Sequence, residues 1–128
     1  MGTDMTMAVE RRRADGTWEH VPGAPQILGG ARSYTLFCAL AGMRQWTVWG
    51  RGENVAVMAL PRGLPADVSD AVRDECRMDG GHSETWHSVA ALRAYPWEAI
   101  HEPGVRVWLD AVAPLGPPDA VRAVFWFD

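Results

Sequence analysis

The chain has 128 residues, 48% of them hydrophobic and 22% charged, with a net charge of -4, a balance typical of one globular domain with its own core and unlike that of a disordered chain. All 12 basic residues are arginines, and the mild acidity excludes a sequence-independent nucleic-acid binder, which needs a basic patch against phosphates. No run approaches the roughly 18 apolar residues of a membrane span, no apolar signal segment opens the chain, and two cysteines make no disulfide framework; the sequence therefore predicts a domain of a reducing cytoplasm, with free thiols and no membrane partner.

Met7 to Glu10 and Thr17 to Val21 flank Asp15-Gly16, and an Asp-Gly between two such runs predicts a β-hairpin, because glycine accepts the positive φ of a tight turn. Arg11, Arg12 and Arg13 then lie on a solvated face of that hairpin. Pro22, Gly23, Pro25, Gly29 and Gly30 mark a loop. Ser33 to Gly42 reads as a helix with Ser33 as cap, Gly42 as stop and Leu36, Phe37 and Leu40 on its core face, beside Cys38 as a small core residue. Thr47 to Trp49 and Val55 to Leu60 are candidate strands.

Pro61-Arg62-Gly63-Leu64-Pro65 must be a loop, since two prolines and a glycine in five residues sustain neither helix nor strand. Asp67 is placed to cap a helix that runs to about Met78 and breaks at Asp79-Gly80-Gly81. His82 to His87 reads as extended, and Ser88 as the cap of a helix over Val89 to Ala94 that Tyr95-Pro96 stops. Val105 to Leu109 and Val121 to Phe127 are strand-like; in the second, Val121, Ala123, Phe125 and Phe127 form a wholly apolar face. Strands without regular βαβ alternation predict an α+β fold: a mostly antiparallel sheet with an N-terminal β-hairpin, a hydrophobic C-terminal strand and about three short helices, as one domain over residues 1–128.

Three stretches carry a resemblance: Tyr34 to Gly42; Pro61 to Pro65 with Val68-Ser69 and Val72-Arg73; and Gly81-His82-Ser83-Glu84-Thr85-Trp86 leading to Tyr95-Pro96-Trp97. Together with the closing Val121 to Asp128 they resemble a family of small uncharacterised proteins of bacteria and their phages. The resemblance implies a fold and little chemistry. His87-Ser88-Val89 stands where that family commonly has Leu-Thr-Leu, so His87 is a departure and a poorer site residue than His82.

Cys76, Asp79, His82 and His87 are metal-binding types, but their spacing fits no strong zinc pattern, and alternation along an extended segment points the two rings apart. The sequence therefore predicts no metal and no cofactor. Asp79 and His82 are the catalytic candidates, a carboxylate orienting an imidazole base; Ser83, adjacent to His82, faces away from it and makes no nucleophile pair. Arg62, held in a stiff loop, suits a carboxylate or phosphate, and Gly63, Ser83, Trp86 and Tyr34 complete the ligand-binding candidates for a small polar or anionic ligand. The competing structural reading pairs Arg62 with a carboxylate such as Asp79 and buries Trp86 in the core.

Three functions fit. The first is a protein that binds or sequesters a small ligand, and in phage-related families such proteins often counter host defence. A small hydrolase or transferase with His82 as general base is the second. The third is a protein–protein or inhibitor module that uses some of the seven tryptophans as hot spots. A pocket lined by Arg62, His82 and Trp86 favours the first two, and a flat exposed Trp patch the third.

Overall fold

The structure, a computed structural model, describes residues 4–27 and 33–128; Gly29 and Gly30 of the expected loop lie outside the described residues. Strands β1 (Met5–Arg12), β2 (Trp18–His20), β3 (His82–Ser88) and β4 (Val121–Phe127) form one sheet in the order β2-β1-β4-β3. Every pairing in it is antiparallel, as the α+β reading requires. The hairpin closes where Asp15-Gly16 predicted, with Thr17 N–H donating to Asp15 Oδ1 at 2.9 Å.

The most apolar strand takes a central place because both of its faces can be covered. Val121, Ala123, Phe125 and Phe127 join Met7 and Val9 in the larger core, under α1 (Tyr34–Ala41), α4 (Val89–Ala94) and α5 (Gly104–Val112). Val124 and Trp126 join Ala8 on the other face, under Val72 and Cys76 of α3 (Asp70–Met78). Helices thus sandwich the sheet. Trp97, Trp108 and Trp126 are among the largest fully buried side chains, which accounts for part of the tryptophan content as core.

The expected caps of α1 and α4 are in place: Ser33 accepts from Leu36 N–H and Ser88 from Ala91 N–H. For α3 the cap is Ser69, which accepts from Val72 N–H, and Asp67 instead accepts from Arg122 Nη1 at 2.8 Å. Cys38 and Cys76 are both free and buried, and burial raises each thiol pKa, with nearby carboxylates adding to the rise.

Three expected strands are corrected. Val105 to Leu109 lies in α5, where Val105, Trp108, Leu109 and Val112 are buried and Val107 is 57% exposed. The helical repeat becomes legible only when Val112 is included, because the five-residue run alone mimics alternation. Thr47 to Trp49 lies in the short helix α2 (Gln45–Gly50), which buries only Val48.

Val55 to Leu60 forms no regular element. Its polar backbone is satisfied from outside the sheet: Trp49 Nε1 donates to Val55 O at 3.1 Å, Tyr95 Oη to Ala56 O at 2.6 Å, and Met58 N–H to Ala39 O at 2.8 Å. Only Val55 of the segment is buried, and a segment whose carbonyls find such donors, with the rest of its backbone nearer to water, has no need of a strand partner. The described residues therefore carry α2 and α5 besides the three helices expected.

Candidate functional site

Among the described residues the outer edge of β3 faces no strand, and an uncovered edge exposes a row of backbone donors and acceptors. The Pro61 to Pro65 loop covers part of it. Gly63, at φ +82, donates its N–H to Glu84 O at 2.8 Å. Left-handed backbone of this kind costs glycine little. Arg62 donates to Trp86 O, places its guanidinium 4.2 Å from the centre of the Trp86 ring, and lies 3.4 Å from His87 Nδ1. Arg62, Gly63 and Trp86 are thus brought together, in a contact that joins a loop to a sheet edge.

His87, the weaker candidate in the sequence, is the histidine most tightly built into the fold. Its Nε2 lies 2.7 Å from Leu40 O; a carbonyl only accepts, so Nε2 carries the proton and Nδ1 is left as an acceptor toward Arg62. Burial lowers its pKa, the bond to Leu40 opposes that, and the Arg62 charge lowers it further.

His82 is exposed at the start of β3, opposite Phe127. Its Nδ1 lies 3.0 Å from Ser83 Oγ. This corrects the expected divergence of the two side chains: the β3–β4 register shifts between His82 and Thr85, and Ser83 sits there at φ +55. The Asp79 carboxylate, expected behind His82, accepts from Trp126 Nε1 at 3.0 Å. Tyr34 opens α1, with its ring 5.9 Å from that of Phe37 and 5.0 Å from the Arg44 guanidinium. Among the described residues no three His, Cys, Asp or Glu side chains converge as metal ligands.

A groove of about 730 Å³ lies between the hairpin and the approach to α3, lined in part by Thr17, Trp18, His20, Asp67, Ser69 and Ala71. None of the candidate residues from the sequence lines it, nor a smaller hollow of about 150 Å³ beside Glu53 and His101. Beneath the groove is an ion cluster. Glu10 is 0% exposed and Arg122 3%. Arg122 Nε donates to Glu10 Oε1 at 2.8 Å, and Ser69 N–H donates to Glu10 Oε2 at 2.8 Å. The Arg122 guanidinium lies 3.9 Å from the Trp18 ring centre and 5.7 Å from that of Trp86. Its bond to Asp67 holds that carboxyl below the usual range.

Sequence reasoning missed this cluster. Its one trace there is Arg122, the single charged residue of an otherwise apolar strand, and Glu10, the acid that follows the apolar run Met7 to Val9. Buried charges of that kind need partners. Direct opposition in the β1–β4 register supplies them.

No protein-family model, curated protein or solved structure matches this chain.

Proposed function

We propose that this protein binds and sequesters a small polar ligand in the groove between the hairpin and α3. The observation that carries the reading is a concavity of about 730 Å³, within the range of small-molecule sites, over a paired and buried ion cluster. Asp67 and Trp18 are held by Arg122 before any ligand arrives, so part of the wall needs no ordering on binding. Glu19, Asp67 and Asp70 outnumber Arg13 along the lining, which favours neutral or cationic ligands over anions. The anion-anchor reading of Arg62 is weakened for another reason: its guanidinium is engaged by Trp86 and His87. A hydrolase or transferase has less support, since Asp79 is engaged by Trp126 and the Nδ1 of His82 meets Ser83 instead of Asp79.

Ala71 is exposed and lines the groove, so Ala71→Trp fills the site without disturbing the core. Thermal unfolding of both proteins with monosaccharides, nucleosides, polyamines and nucleotides tests the reading. A binder at a hundredfold excess over its Kd should stabilise the wild type by about 2.7 kcal/mol and leave the variant unmoved. Equal stabilisation of the two proteins, or none by any class, rejects the groove.

A second reading, a protein–protein module, is favoured by α2. Trp46 is 76% exposed and Trp49 42%, packed edge to face with ring centres 5.6 Å apart, and exposed tryptophans of this kind are typical hot spots. Trp46→Ser separates the two readings, because it would weaken partner binding and leave groove ligands unaffected.

A further inference from the structure

We propose that His87 and Arg62 form a proton-released latch that holds the Pro61 to Pro65 loop on the outer edge of β3. The loop is tied to that edge through Gly63 N–H to Glu84 O at 2.8 Å and through the Arg62 guanidinium, which meets Trp86 O, the Trp86 ring and, at 3.4 Å, His87 Nδ1. A neutral imidazole suits this arrangement, because its Nε2–H serves Leu40 O and its bare Nδ1 accepts from the cation. Protonation puts a hydrogen on Nδ1 and a positive charge on the buried ring, beside the Arg62 guanidinium at the surface. Attraction then becomes repulsion. The buried ring cannot turn away without giving up Leu40 O, whereas the exposed Arg62 can leave. Its departure frees Trp86 O and loosens the Gly63 bond.

The groups facing His87 leave Arg62 as the charge that acts on it. From α1 it meets the Leu40 carbonyl, and Cys38 of that helix is a thiol kept neutral by burial. From β4 it meets Phe125, ring centres 6.2 Å apart, and Ala123 across the register. On its own strand, Glu84 approaches Cys76 of α3. Since the folded state holds the His87 pKa below its ordinary value of 6.5, the closed latch contributes its full stability above that value. The contribution is lost as pH falls from there through the depressed folded pKa.

Hydrogen exchange at the Gly63 amide, corrected for intrinsic rates and followed from about pH 7.5 to about pH 4.5, tests the latch against the His87 ring titration read by NMR in the same sample. Protection at Gly63 should fall about tenfold or more, with its midpoint on that of the His87 ring, while the Val124 amide in the sheet centre stays protected. His87→Gln should show no such step, and in Arg62→Gln the step should vanish while the His87 midpoint rises. Gly63 protection that is unchanged while His87 titrates overturns the latch, as does a step that persists in His87→Gln or one that appears only together with loss at Val124. The wild-type coincidence of midpoints decides the matter even if neither variant folds.

Discussion

Replacing Arg122 by Ala should lower the unfolding free energy by about 3–5 kcal/mol, the usual cost of removing one partner from a buried ion pair. Glu10 is 0% exposed, so its carboxylate would stay buried and, among the described residues, keep Ser69 N–H as its one hydrogen-bond donor, at 2.8 Å. Arg122 also carries Asp67 at 2.8 Å and packs on Trp18 at 3.9 Å, so the hairpin should loosen and the groove lose its floor. Asp67→Ala should cost far less, because Asp67 is exposed and water screens such pairs. In the double variant Glu10→Gln with Arg122→Met part of the loss should return, since no uncompensated charge remains. Urea unfolding at neutral pH measures all three. An Arg122→Ala protein within about 1 kcal/mol of wild type would show that the cluster is solvated and would remove the rigid floor from the groove.

Trp126→Ala should be comparably destabilising, by about 3–5 kcal/mol, as for other large buried aromatics cut to Ala. Its ring fills the smaller core among Ala8, Val72, Cys76 and Val124, and its Nε1 holds Asp79 at 3.0 Å. The same ring explains Gly81, where a Cβ would lie 2.5 Å from Trp126 Cδ1. That glycine answers to close packing and not to a turn. Trp126→Phe should cost less, on the order of 1–2 kcal/mol, because most of the volume stays and the orphaned Asp79 is exposed. Denaturant midpoints rank the three proteins; an Ala variant no worse than the Phe variant would mean that α3 collapses freely onto the sheet.

Features set by neighbouring residues were legible in the chain itself. Asp15-Gly16 forces its turn by backbone sterics, Ser33 and Ser88 cap their helices within three residues, and alternation over Val121 to Phe127 marks an apolar strand face. Pro61 to Pro65 was legible as a stiff loop for the same local reason. Where short apolar runs were read in isolation the reading failed, because Val105 to Leu109 satisfies both periods until Val112 breaks the tie.

Tertiary structure alone decided what Arg62, Asp67, Glu10 and Arg122 do. Nothing local to Arg62 shows that Glu84 and Trp86 lie on the sheet edge it covers, or that His87 meets it through a bare nitrogen. Asp67 looks like a helix cap in sequence, yet it serves an arginine 55 residues away. Glu10 and Arg122, 112 residues apart, become partners only because β1 pairs with β4, and that pairing is selected by burial of apolar faces over the whole sheet. A hydrogen bond or ion pair stabilises the fold only where its groups are brought close and taken from water, and long-range packing sets both conditions.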